Sequence, residues 1–318
     1  MPPGWRAWDF SFDEKQATRT LSPAVLNLVR PLSGDAQVPL QSLDISTIIL
    51  SVLYVLAMLA FLVLFIVDWA LHFRQTGRFW KYGFVLGGVM LAMDAGILVL
   101  LPTLRKGWMG ALVVVTDIFS FGRVALFTVV GMYCCMRMRR PDLPLLGRLW
   151  GRRYYQGRIN SLHALIAVAV VAGMAAAYSG ALFKLASPQM SSILKELTGR
   201  QRAAGTSGDR PSLLVALVLL TFALAEEVTF RLGIQSFLAR QLKLTGPKYA
   251  LAVLATSALW TMAHTGTLNP EWVKFAQIFP LGLALGCLCW KYGAEAAILA
   301  HGGFNIIMMF LGPLVIRA

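Results

Sequence analysis

Residues 45–67, ISTIILSVLYVLAMLAFLVLFIV, contain no charged side chain. Wound as a helix at 1.5 Å per residue, such a run extends about 34 Å, enough to cross a bilayer core about 30 Å thick. Seven further apolar runs follow at 84–101, 108–136, 159–183, 211–239, 250–264, 273–290 and 296–316. The expected fold is all-α, a polytopic transmembrane helical bundle of about eight spans. Composition agrees. Of 318 residues, 57% are apolar and only 14% charged, where a soluble domain carries about 25% charged residues. With a mean hydropathy of +0.65, an ordinary water-soluble globule is excluded.

The net charge of +14 would suggest nucleic acid in a soluble protein, but here the basic residues lie between the apolar runs. Arg137, Arg139, Arg140, Arg148, Arg152, Arg153 and Arg158 crowd one loop, 137–158, as expected of a cytoplasmic segment lying against anionic headgroups. With no phosphate-binding loop or basic-aromatic module beside them, no nucleic-acid partner is expected. The partner surface is the lipid bilayer. Ahead of the first run lies a polar segment, 1–44, containing Asp9, Asp13, Glu14, Asp35 and Asp44. It is unlike the short basic start of a cleavable signal peptide, so the first run is expected to be a retained span. An even span count then puts both termini outside, an orientation resting mostly on the arginine-rich loop. A polar stretch at 187–210 reads as a linker with one short surface helix. Cys134, Cys135, Cys287 and Cys289 have no CxxC spacing and are read as packing residues, with neither a disulfide framework nor a thiolate zinc site.

A charge at the bilayer centre costs about 2.5 to 3.5 kcal/mol on insertion scales, so each one within a span needs a reason. Asp94, Asp117, Arg123 and His163 occur singly. An interhelical pair of Arg123 with Asp94 or Asp117, and a core position for His163, are the expected structural readings. The span at 211–239 is different, because it contains Ala-Glu-Glu-Val-Thr-Phe-Arg with Glu226, Glu227 and Arg231. Glu226 lies about 22 Å of helix from Pro211, near mid-membrane. Glu227 and Arg231 are four apart with the glutamate leading, the favourable order for an ion pair, while Glu226 is turned about 100° away. A carboxylate neutralised by a guanidinium is a weak base, whereas an unpaired one in low dielectric takes a proton more readily. Glu226 is therefore the better general base.

Two later spans supply complementary groups. His264 ends the run at 250–264, and the last run contains His-Gly-Gly-Phe-Asn, with His301 and Asn305 four apart on one face. Both can donate hydrogen bonds to a carbonyl that becomes tetrahedral.

Glu-Glu-x-x-x-Arg, an aromatic-x-x-x-His and His-x-x-x-Asn, in this order and each within an apolar run, resemble the three motifs of the CPBP family. That family is also called Abi or CAAX-protease-like and includes the Rce1-type prenyl-protein proteases. The resemblance extends from about residue 159 to the C-terminus. It implies a catalytic helical bundle at 159–318, preceded by a three-span region at 45–136 of open role. It also implies that Glu226 activates the attacking water, that His264 helps to hold that water, and that His301 and Asn305 stabilise the oxyanion. Glu227 and Arg231 match the motif's second glutamate and its arginine and receive a supporting role. Trp260 stands where the family usually has Phe, a departure expected to change packing more than chemistry.

The expected function is that of an intramembrane endopeptidase of the glutamic type, without a cofactor, in a multi-pass protein of a bacterial plasma (inner) membrane. Its substrate would be a membrane-associated or lipid-modified protein or a peptide precursor, including a C-terminal segment or a prenylated peptide. Two rival readings use the same residues. One is a zinc protease with Glu226, His264 and His301 as ligands, although no HExxH pair is present. The other is a non-enzymatic scaffold or proton-coupled transporter.

Overall fold

The computed structural model describes residues 45–100, 107–151, 160–190 and 213–315. The polar segment 1–44, Arg152, Arg153 and Arg158 of the basic loop, and 191–210 of the expected linker lie outside the described residues. Nine helices carry the architecture of that described part: α1 (Ile45–Leu71), α2 (Trp80–Leu100), α3 (Gly107–Met138), α4 (Ser161–Ala186), α5 (Leu213–Glu227), α6 (Ser236–Gln241), α7 (Tyr249–Met262), α8 (Glu271–Tyr292) and α9 (Ala294–Val315). Helices dominate because each satisfies its own backbone donors and acceptors, which hydrocarbon cannot do. The termini show specific devices. Asn160 caps α4 by accepting from the amides of Leu162 and His163 at 3.0 and 3.2 Å, and Gly293, at φ +96°, turns the chain between α8 and α9.

The all-α membrane bundle holds, and the chain is an integral, multi-pass membrane protein. The count of eight spans is not upheld in full. Among the described residues, five helices are long and apolar enough to cross a membrane: Ser46–Leu71, Val115–Met138, Ser161–Ala186, Glu271–Tyr292 and Ala294–Leu311. α7 has 14 residues, about 21 Å of helix, which is short of the hydrocarbon thickness. The expected span at 211–239 is not one continuous α-helix either. After α5 the winding loosens into a π-helical segment, Val228–Gln235, before α6 resumes. A two-residue antiparallel ladder, β1 (Gln189–Met190) with β2 (Leu268–Asn269), ties the end of α4 to the α7–α8 connection.

Burial sorts the helices by depth. In the most apolar window of α3, 67% of residues are buried, against 6% for α1 and 17% for α4, so α3 is central and the other two face lipid. Lipid tails are as apolar as leucine, so close packing rather than water exclusion holds such helices together. Gly131 of α3 shows how close the packing is, since a Cβ there would run into the carbonyl of Leu232 in the π-helical segment. Phe65 of α1, Phe127 of α3 and Phe237 of α6 fill the adjoining space, Phe65 lying 4.3 Å from Phe127 and 4.9 Å from Phe237 between ring centroids.

One end of the bundle is basic. There Arg240 pairs with Asp68, Lys81 lies over the Trp150 ring, and Arg140 lies over Tyr249 and Trp290. The loops after α1, α3 and α6 and the turn after α8 therefore meet on one face.

Several polar expectations change. Arg123 pairs with neither Asp94 nor Asp117. It interacts electrostatically with Tyr54 and Glu226, while Asp94 and Asp117 act on each other. The distribution follows from packing, because α3 lies against the segment that follows Glu226. His163 is not a core residue but sits exposed in the first turn of α4. All four cysteines are free; Cys134, Cys135 and Cys289 are buried and Cys287 is exposed.

Overfilling the α3 contact tests this packing. Gly131→Val is expected to cost about 1 to 3 kcal/mol, read as a lower melting temperature of the detergent-solubilised protein. Gly173→Ala, at a glycine whose added Cβ would meet nothing within 4 Å, is expected to leave melting unchanged or slightly raised.

Candidate active site

Trp260, fully buried near the end of α7, is the hub around which the three motifs gather. Its indole Nε1–H donates to Glu226 Oε2 at 2.6 Å. Its ring meets the His264 ring edge-on at 5.1 Å and the His301 ring at 5.3 Å between centroids. The Arg231 guanidinium lies over the same ring at 4.9 Å. One side chain thus touches a residue from every motif, at the position where the family usually has phenylalanine. A phenylalanine has no N–H to give to the carboxylate.

The two adjacent glutamates occupy different environments, as their positions on the helix require. Glu227 is completely buried. Its Oε1 faces His301 Nδ1 at 2.9 Å and its Oε2 faces Arg231 Nε at 3.4 Å, so guanidinium, carboxylate and imidazole stand in one row. Glu226 is half-buried. One of its oxygens is held by Trp260, and Oε1 makes no hydrogen bond with a described residue. The angular separation read from the sequence survives the change to π-helical winding because the loosening begins only at Val228, after both glutamates.

The tautomers of both histidines follow from their partners. A backbone carbonyl only accepts, so His264 Nδ1, 3.0 Å from the Trp260 carbonyl, carries its hydrogen. A carboxylate paired with arginine is also an acceptor, so His301 Nδ1 donates to Glu227. Each Nε2 is then the nitrogen left for chemistry. Asn305, one turn beyond His301 on α9, donates from Nδ2 to the carbonyl of Leu219 at 3.3 Å, which leaves its second N–H for another acceptor.

Lys274 in the first turns of α8 escaped the sequence reading. Its Nζ donates to Gln277 Oε1 at 3.0 Å, and the fields of Glu226 and Lys274 act on one another and on His264. Arg123 and Tyr54 also feel Glu226. Two cations and a phenol, from α8, α3 and α1, are thus within electrostatic range of Glu226. The lysine leads an apolar span in the sequence and gives no motif signal. The other two lie in the region outside the motifs.

For the rival zinc reading, Glu227 engages Nδ1 of His301 and Trp260 engages Oε2 of Glu226, and no group of three or more His, Cys, Asp or Glu side chains among the described residues is placed to hold a metal ion.

Comparison with curated proteins and with solved structures found no match. Residues 209–307, which hold all three motifs from Glu226 to Asn305, match the family described as Rce1-like, type II CAAX prenyl endopeptidase Rce1-like, and mark this part of the chain as a domain of the CPBP/CAAX-protease kind.

Proposed function

We propose that the protein is an intramembrane endopeptidase in which Glu226 is the general base. One observation carries the reading. A half-buried carboxylate inside an apolar bundle is held by a single indole N–H, while its buried neighbour absorbs the arginine. Water between Glu226 and His264 attacks the scissile carbonyl carbon, giving one proton to Glu226 Oε1 and hydrogen-bonding His264 Nε2 with the other. The carbonyl oxygen takes up the negative charge and accepts from the second N–H of Asn305 and from Nε2–H of His301 in its imidazolium form. Each such donor contributes about 3 to 4 kcal/mol in comparable sites. When the C–N bond breaks, Glu226 returns its proton to the leaving amine.

Glu227 and Arg231 do not touch substrate in this scheme. They hold His301 through its Nδ1 and leave its Nε2 for the substrate, a positioning role. The substrate class we infer is a peptide segment presented from within or beside the membrane, belonging to a membrane-associated or lipid-modified protein or a precursor peptide. The Rce1-like match adds prenylated C-terminal segments to that class.

Glu226→Gln is expected to lower cleavage by about 10²- to 10⁴-fold with unchanged melting. Glu227→Gln should instead lower the melting temperature as well, since breaking one partner of a buried pair costs about 3 to 5 kcal/mol. Membrane-protein termini compared by mass spectrometry between wild-type and Glu226→Gln cells give the substrate, and identical termini in the two strains would remove the proposal. With that substrate, Trp260→Phe should reduce kcat/KM by about tenfold, the value of one hydrogen bond to a charged group. Cleavage should persist at full rate after dialysis against EDTA and 1,10-phenanthroline, whereas loss restored by zinc would favour the metal reading.

A further inference from the structure

Away from the motifs, the basic end of the bundle contains a cleft of about 540 Å³ whose walls include Arg139, Arg140, Thr245, Trp290 and Lys291. It exists because the loop after α3 is drawn against the α8–α9 turn. The Ala294 amide donates to the Asp142 carbonyl at 2.8 Å. Gly293 permits the approach, since a Cβ there would stand 2.7 Å from that carbonyl and 2.8 Å from Pro144 Cδ.

Within the cleft Arg140 is fixed by its face. Its guanidinium carbon lies 5.3 Å from the centroid of Tyr249 and 5.2 Å from that of Trp290, and the two rings stack at 5.0 Å. Tyr249 is itself held, its hydroxyl accepting from Gln235 Nε2 at 3.2 Å. Stacking fixes the plane of a guanidinium and leaves its N–H edge, the part that matches a phosphate bidentately, free to bind. The Arg140 side chain makes no hydrogen bond or ion pair with a described residue, nor do the side chains of Arg139 and Lys291. The acidic groups nearby are already engaged. Asp68 takes Arg240, Asp142 accepts from the Leu143 amide, and Glu295 accepts from the amides of Leu145 and Leu146. Trp290 Nε1 is buried without an acceptor among the described residues. Three cations and a tryptophan therefore line one cavity with no acidic side chain among its described walls.

We propose that this cleft binds the phosphate of an anionic phospholipid headgroup. Its depth favours a lipid over a free ion. α3 and α8, both candidate spans, end at Met138 and Tyr292, so the cleft sits where the helices leave the apolar layer, the level at which tryptophan and headgroups meet. Leu145 and Leu242, in the same loops as the cleft residues Pro141 and Leu244, are 61% and 63% exposed.

Native mass spectrometry of the full chain, purified in detergent and equilibrated with equal phosphatidylglycerol and phosphatidylcholine, tests the assignment. Wild type should retain phosphatidylglycerol about tenfold over phosphatidylcholine, and Arg140→Gln should lose most of that preference. Lys291→Gln, on the exposed rim where folding is not at stake, should lower it severalfold. Arg74→Gln, an exposed residue of the α1–α2 connection outside the cleft, should leave it unchanged. Equal retention of the two lipids by wild type would overturn the proposal. So would loss in Arg74→Gln matching that in Lys291→Gln, which means a diffuse basic surface, or displacement of the lipid by millimolar inorganic phosphate, which means a free-phosphate site.

Discussion

A guanidinium with no exposed surface stands in the middle of an apolar bundle, and the rest of the site is arranged around answering its charge. Arg231 is met at its edge by Glu227 and at its face by Trp260. Glu227 is thereby committed, and its remaining oxygen fixes His301. Trp260 is likewise committed, and its remaining polar atom fixes Glu226. A buried ion pair of this kind adds little net stability compared with apolar packing. Its effect lies in specificity, because two acids and two imidazoles that would otherwise have many rotamers are left with one arrangement.

Much of this was legible in the sequence, and what was not has identifiable reasons. Uncharged runs announce membrane helices because hydrocarbon permits almost nothing else, and the divergence of Glu226 from Glu227 is a matter of helical angle. The pairing of Glu227 with Arg231 is local and follows from their spacing of four residues. Contacts between elements leave no such trace. Nothing in the spacing of Glu227 and His301 says that they touch, and the indole of Trp260 looks like one more aromatic in an apolar run. The loosened winding at Val228–Gln235 preserves the hydrophobic pattern of an ordinary helix and so escapes a reading by periodicity. β1 and β2 are too short to register at all.

The first three spans had no role that their sequence could supply. Their contribution is now specific: α3 presses on the segment following Glu226 through Gly131, and Arg123 and Tyr54 bring a cation and a phenol within electrostatic range of the carboxylate. The Rce1-like match begins only at residue 209, yet the environment of its central glutamate is completed from outside it.

The π-helical segment also makes chain length a constraint in its own right. Ordinary winding would make the same turn with about one residue fewer, so at the present length an α-helix through this stretch would carry everything after it round by about 100°. Gln235 would then leave Tyr249 and Gly286, Ser236 would leave Cys135, and Arg240 would leave Asp68. Three tethers in three directions thus act as a vernier on the helix, holding it to the looser winding.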